Sequence, residues 1–326
     1  MKVTKGDSGL SSVVADIGAT NIRLARLTAG GLPGPTVKFA TAEFPDFTAA
    51  LAHFLKLEGG PGPERIALAV AGPVYGDEVK LTNNQWQFSI RRLAKELNLE
   101  QLEVVNDLEA LALVLPNLDP DDAVPIGVKA GNGSRRAPMA VLCPGTGLGI
   151  AGLVPVEQGW RPIATEGGHT SLSPLTAKEM AVWQFLQERY GRVSVERVLS
   201  GPGLFELYNA LASLEGREAG AVSPEDIVSL ALNGESPLAL ETVEIFCGWL
   251  GDVAGDVALM YVARGGVYLA GDILLTIFEI LKRSQFRNRF ENKGRGSGIV
   301  TATPTFLISC ESPVLRGCTY LLDDPV

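Results

Sequence analysis

Short continuous apolar runs alternate along this chain with stretches in which apolar residues recur at every third or fourth position. The first pattern suits buried strands and the second suits helices with one buried face. Val13–Ala15 and Ile22–Leu27 read as a hairpin, with Val37–Thr41 as a third strand. From Phe44 to Leu57 the spacing is helical, carried by Phe47, Leu51, Phe54 and Leu55, and Gly59-Gly60 ends it. Ile66–Ala71 is a short buried strand stopped by Gly72-Pro73. Ile90–Leu97 predicts a helix, Leu102–Val105 a strand, and Asp107–Leu115 a helix closed by Pro116. A hairpin, a strand and then alternating helix and strand predict an α/β fold with a mixed sheet covered by helices.

Leu118–Pro138 is polar and rich in Asp, Gly, Pro and Asn, with Arg135-Arg136 near its end, and reads as a connector between halves. The second half then opens on the pattern of the first. Val13–Leu24 and Ala140–Ala151 align without a gap, each an apolar strand, a tight Gly/Thr turn and a second apolar strand. Helical spacing follows over Ala177–Tyr190, Pro202–Leu214, Pro224–Leu232 and Pro237–Ala263. Gly265–Gly271 reads as a glycine-bounded buried strand, Ile273–Lys282 as a helix, Thr305–Ser309 as a last strand and Val314–Leu322 as a closing helix. Gly248, Gly251 and Gly255 share one face of the long helix, which suits either close helix packing or a smooth wall beside a cleft.

Composition narrows the class. A chain of 326 residues, nearly half apolar and a fifth charged, is of a size for about two soluble domains. The net charge of −9 argues against a nucleic-acid partner, which calls for a basic patch. Met1–Ser12 is polar, reads as frayed and has no apolar signal core. The uncharged run Ala137–Val156 approaches the length of a membrane span, but Pro144, Pro155 and four glycines break it into strands around a turn. Cys143, Cys247, Cys310 and Cys318 stand at no metal or redox spacing, and the two histidines make no zinc site with them. Inert thiols in a reduced, cytoplasmic setting are expected, with no membrane partner.

The chemistry sits at the turns. Short Gly/Thr turns leave backbone N–H groups to surround anionic oxygens, and glycine lets the chain approach a phosphate closely. Two such turns on repeated halves suggest one nucleotide polyphosphate gripped from both sides. Asp16 in the first copy has Cys143 as its counterpart in the second, an asymmetry that suits a divalent cation held beside the phosphates. Asn106-Asp107, where a strand becomes a helix, is either an N-cap or a carboxylate facing a ligand crevice, able to accept an alcohol proton. Glu166-Gly167-Gly168-His169 sets an acceptor and a donor/acceptor around a turn, where a lone histidine can equally be structural. Glu196 is either a first-turn helix glutamate or a further hydroxyl ligand. Together the set suggests a phosphotransferase acting on a polyol, whose hydroxyls both donate and accept.

Asp16–Leu24, Leu81–Trp86, Asn106-Asp107, Gly145–Gly149, Glu166–His169 and Glu196–Gly203, in this order, resemble the bacterial glucokinases. Their superfamily also contains hexokinase, actin and the heat-shock chaperone ATPases. The resemblance runs from about Val13 to the closing helix. It implies two duplicated ribonuclease H-like domains of the actin-like ATPase fold with a cleft between them. The small α/β domain would span 1–116, completed by the C-terminal helix 312–326, and the large α/β domain 117–311. By the same resemblance Asp107 is the base that takes the proton from the 6-hydroxyl of glucose. Asn106, Asp107, Glu166, His169 and Glu196 bind the sugar. Asp16 positions Mg2+ through water, and Gly18, Ala19, Thr20 and Asn21 approach the transferred phosphate. Gly145, Thr146 and Gly147 hold phosphates from the other domain, and Gly271 belongs to the adenosine-side turn. The implied reaction is ATP + glucose to ADP + glucose 6-phosphate, the first step of glycolysis, in a cytoplasmic homodimer. The family often has Gly-Gly where this chain has Gly271-Asp272. Neither the cysteine-rich zinc loop of the repressor/sugar-kinase branch nor a DNA-binding extension is seen. A sugar sensor of the same fold and a sugar-independent ATPase are the rival readings.

Overall fold

The computed structural model describes residues 11–82, 84–127, 136–217 and 223–323. Two units emerge, one taking in the chain up to Asn117, Trp160–Pro162 and the segment from Cys310 onward, the other the remainder up to Ser309.

The first unit begins with strands β1 (Ser12–Ile17), β2 (Asn21–Arg26) and β3 (Val37–Ala40), followed by helix α1 (Phe47–Glu58). Asp46 caps α1 by accepting from the Ala49 amide, and Gly59 ends it. Next come β4 (Arg65–Val70), β5 (Glu78–Lys80), β6 (Gln87–Ser89), α2 (Ile90–Glu96), β7 (Gln101–Asn106) and α3 (Asp107–Val114). The main sheet runs β3-β2-β1-β4-β7, antiparallel within the β1–β2–β3 meander and parallel from β1 through β4 to β7. Ile17, Val70 and Asn106 stand abreast in the parallel part, so Asp16 and Asn106 share its C-terminal edge. The core gathers Val13, Ile17, Ile22, Leu24, Phe54, Ile66 and Leu68, all essentially inaccessible.

The second unit holds β8 (Ala123–Pro125), β9 (Met139–Pro144), β10 (Leu148–Val156), β11 (Gly159–Thr165) apart from its residues Trp160–Pro162, α4 (Ala177–Tyr190), α5 (Gly201–Leu214), α6 (Pro224–Leu232) and α7 (Pro237–Tyr261). It continues through β12 (Gly266–Leu269), α8 (Asp272–Thr276), α9 (Phe278–Arg283), α10 (Phe286–Glu291), α11 (Ser297–Thr301) and β13 (Thr305–Ile308). Its sheet order is β11-β10-β9-β12-β13-β8, with β9, β12 and β13 parallel. Apart from β8, this repeats the order of the first sheet. Ser223 and Ser236 cap α6 and α7, each followed by a proline in the first helical turn, where the missing N–H costs nothing. The chain then returns to the first unit with α12 (Pro313–Asp323), whose buried Leu315, Cys318 and Leu321 face α3, β1 and β4.

Several expectations change. Ser12 opens β1 instead of fraying; residues 1–10 lie outside the described set, as do 128–135 of the predicted connector. That connector also contains β8, paired antiparallel with β13, so part of it belongs to the sheet. The gapless alignment of the two hairpins fails at the turn. Ile17 pairs with Ile22 across four residues, whereas Pro144 pairs with Leu148 across three. The predicted helix Ile273–Lys282 is two helices broken at Ile277, where Thr276 Oγ1 bonds back to the Asp272 carbonyl at 2.9 Å. The α7 glycine face is close helix packing: a Cβ at Gly251 would collide with the Phe286 carbonyl of α10. The uncharged run at Ala137–Val156 is β9 and β10, and no described helix is long and apolar enough to cross a membrane.

Candidate active site

In the first unit the β1–β2 hairpin positions Asp16, and the β7–α3 junction positions Asp107. Asp16 is nearly buried and faces Arg23 across the hairpin, with Arg23 Nη1 donating to Asp16 Oδ2 at 2.9 Å. Burial pushes the Asp16 carboxyl above its ordinary range, and the Arg23 charge opposes that shift. The rung that holds this ion pair has Cys143 opposite Gly149 in the other hairpin.

Asn106 is the N-cap of α3. Its Oδ1 accepts from the Leu108 amide at 3.0 Å, and its Nδ2 donates to the Gly72 carbonyl at 3.1 Å. The Glu109 carboxylate returns to accept from the Asn106 amide at 3.1 Å, completing a capping box. The cap reading of Asn106 therefore holds, and it leaves Asp107 as the first helical residue. Asp107 Oδ1 accepts from the Leu108 amide at 2.9 Å, which favours the anion. Burial and the nearby Asp16 charge outweigh that bond and push Asp107 up to about 7.

The loop between β1 and β2 is closed by Gly18 N–H donating to the Asn21 carbonyl at 2.8 Å. Asn21 Nδ2 donates to Thr20 Oγ1 at 2.9 Å. The Ala19 and Thr20 amides donate to no backbone carbonyl among the described residues, as an oxyanion-binding turn requires. Two neighbours that sequence reasoning passed over brace this loop. Thr41 Oγ1 donates to the Gly18 carbonyl at 3.2 Å, and Asn84 Nδ2 to the Ala19 carbonyl at 3.1 Å. Asn84 lies in the Leu81–Trp86 motif, which could have pointed to it; Asn83 of that motif lies outside the described residues.

In the second unit Gly145 N–H donates to the Gly147 carbonyl at 2.8 Å, and the Gly145 carbonyl accepts from the Gly201 amide at 2.8 Å. The Thr146 and Gly147 amides again have no backbone acceptor among the described residues. Gly271 has φ +112°, and a Cβ there would lie 2.6 Å from the Pro144 carbonyl, so only glycine lets the end of β12 close on this loop. Glu166, His169 and Glu196 come together as one cluster. His169 Nε2 is 3.7 Å from Glu166 Oε2, and His169 Nδ1 is 3.9 Å from Glu196 Oε1. The other Glu196 oxygen accepts from the Leu148 amide at 2.9 Å, tying the cluster to the loop. Beside it Arg197, exposed and stacked 4.1 Å over the Tyr190 ring, is a cation the motif reading did not use.

The family model described as Glucokinase matches residues 13–325. A relative named glucokinase from Neisseria meningitidis is 40% identical over 317 residues, covering 97% of this chain and 96% of its own. Among solved structures, the glucokinase from an Antarctic psychrotroph is 36% identical with a TM-score of 0.87, over 98% of this chain and all of that one. A ROK family glucokinase from Streptomyces griseus, in complex with glucose and AMPPNP, matches at TM-score 0.66 and 17% identity, over 95% of this chain and 98% of that one, a likeness of fold.

Proposed function

The chain belongs to the glucokinase family, and from that premise we propose how its residues phosphorylate D-glucose at the 6-hydroxyl with ATP. Asp107 is the general base: its carboxylate takes the 6-hydroxyl proton as that oxygen bonds to the γ-phosphorus and the bond to ADP breaks. The observation that carries this is the placement of Asp107 as the first residue of α3, directly after the C-terminal edge of the parallel strands that also holds Asp16; burial and the Asp16 charge there push its carboxyl up to about 7. A base of that strength is largely ionised just above neutral pH and still basic enough to take a proton.

Glu166, His169 and Glu196 receive sugar hydroxyls, which suits a cluster presenting both acceptors and a donor. Asn106 joins them in part and, through its bonds to Gly72 and Leu108, holds the Asp107 turn. The amides of Ala19, Thr20, Thr146 and Gly147, which have no backbone acceptor among the described residues, are donors for phosphate oxygens, with Gly18 and Asn21 closing one loop and Gly145 the other. Gly271 then lies on the adenosine side. The ATP analogue in the Streptomyces griseus neighbour supports ATP as donor.

Asp16 would hold a Mg2+ ion through water by Oδ1, a hard oxygen donor, since Arg23 engages only Oδ2. When bound, the ion would neutralise charge on the phosphates. We further propose two duplicated ribonuclease H-like domains of the actin-like ATPase type, 1–116 with 312–326 and 117–311, closing a cleft over glucose. A homodimer in the cytoplasm completes the reading.

Coupled ADP release with Mg2+-ATP, with and without a panel of hexoses, tests it. Glucose-dependent turnover is expected. Sugar-independent hydrolysis, or a glucose-raised Tm without turnover, overturns it in favour of an ATPase or a sugar sensor respectively.

A further inference from the structure

The turn given to the phosphates in the second unit also adjoins the sugar cluster. Glu196 Oε2 accepts from the Leu148 amide at 2.9 Å, while Oε1 lies 3.9 Å from His169 Nδ1. The carboxylate therefore has one oxygen on the loop and one among the sugar residues. The loop meets it with a glycine. A Cβ on Gly147 would collide with Glu196 Oε2 and lie 3.1 Å from Glu196 Cδ, and the nearest atoms it would meet all belong to Glu196. Gly147 is not among the glycines of positive φ, so its backbone does not call for glycine. Space for the Glu196 carboxylate does.

The two backbones are tied and give an added methyl little room. The Glu196 amide donates to the Gly168 carbonyl at 2.9 Å, and the Glu196 carbonyl accepts from Ser200 Oγ at 2.9 Å. On the loop side the Gly145 amide closes on the Gly147 carbonyl, and the Gly145 carbonyl accepts from the Gly201 amide, both at 2.8 Å. The Glu196 side chain is 34% exposed, so it is the part that can yield, by swinging toward solvent and giving up the Leu148 amide.

We propose that Gly147 and the Leu148 amide form the seat of the Glu196 carboxylate, which makes Gly147 a positioning residue for glucose although it belongs to the phosphate turn. This deepens the sugar role given to Glu196 above and rests on it. The glucose Kd of nucleotide-free protein, measured by titration calorimetry, tests it without reading what the loop does for phosphate. Gly147→Ala is expected to fold and to bind glucose about tenfold or more weakly, since a hydroxyl acceptor displaced by about an ångström loses most of its bond. Gly145→Ala makes the same change two residues away, where a Cβ would meet nothing within 4 Å among the described residues. Its glucose Kd is expected within about twofold of the parent. In a Glu196→Ala background no carboxylate is left to displace, and Gly147→Ala is expected to cost less than about twofold further. General damage to the loop would cost the same in both backgrounds.

Parental glucose affinity in Gly147→Ala overturns the seat, as does an equal loss in Gly145→Ala or an undiminished loss in the Glu196→Ala background. Failure of Gly147→Ala to fold overturns it too, because the side chain would then not have yielded. Glu196→Ala alone separates the two failures. If it binds glucose like the parent, the sugar role of Glu196 falls and the seat with it. If it binds weakly while Gly147→Ala binds like the parent, the seat alone falls.

Discussion

Asp107 is pulled in two directions by features that a sequence exposes unequally. The Asn-Asp pair at a strand-to-helix junction is legible, and so is the helix start that favours an anion. The opposing forces, burial and the Asp16 charge from another strand, arise only when β1, β4 and β7 stand abreast. The consequence is measurable in the pH dependence of kcat, expected to climb as pH rises through about 7 and then level off. Asp107→Ala is expected to lower kcat by about 10³-fold or more with a smaller loss of glucose affinity; unchanged kcat removes the residue as base. Stability runs the other way. The folded pKa lies above the ordinary value of 3.8, so between about 4 and 7 the folded state holds a proton that the unfolded chain has lost. Its stabilising share is therefore full below about 4 and lost as pH rises through 7. Asp107→Asn is expected to be more stable than the parent at pH 8 by about 1–3 kcal/mol, and by little at pH 4, in urea titrations. Thr41 was not legible as a site residue, and Arg23 and Asn84, though inside quoted motifs, showed no role, because each acts on a neighbour that folding brings to it.

At the scale of the element, the helical spacings and the apolar strands of four to six residues translated well, and the shortest elements did not. The helix α4 has the predicted limits, and α6 starts and stops where its proline and apolar spacing indicate. The three-residue strands β5 and β6 are too short to show a period, and α10 hides two core phenylalanines, Phe286 and Phe290, among charged and amide residues. The hairpins carry the most instructive error. An ungapped match hid a turn shorter by one residue, and in a strand pair such a slip changes which side chains meet across the ladder. Asp16 meets Arg23 for that reason, whereas Cys143 meets glycine. Among helices, Gly251 admits the backbone of α10 against α7. Gly251→Ala is expected to destabilise the protein by about 1–3 kcal/mol in equilibrium urea unfolding, through overpacking against a carbonyl that cannot give way. A silent substitution would mean that α7 and α10 can separate freely.

Across the whole molecule, two sheets of matching strand order, β8 apart, each carry an amide-lined turn in a hairpin, β1–β2 in one and β9–β10 in the other, and each unit gathers its own core. The repeat of strand, turn and strand was readable; the return of the chain to its first unit was not readable from pattern alone and came from family resemblance. That return is tight. Cys318 Sγ lies 3.8 Å from the Ala15 carbonyl, and Arg65 Nη1 donates to the Leu322 carbonyl at 3.4 Å. Removing residues 313–323 uncovers α3, β1 and β4, and the truncated protein is expected to lose cooperative unfolding of the first unit by hydrogen exchange while the second keeps its protection.

The placement of α12 also sets an order of events during synthesis. By the time the ribosome has released Ser309, every strand of the second sheet is available and that unit can close. The first unit, whose strands are translated earliest, stays without one side of its core until Pro313–Asp323 clear the exit tunnel. The portion carrying Asp16 and Asp107 is thus first made and last finished, and a nascent chain exposes apolar surface there for nearly the whole of its translation. Chaperone capture of the early chain, and catalytic silence of any prematurely terminated product, follow from where a single helix sits.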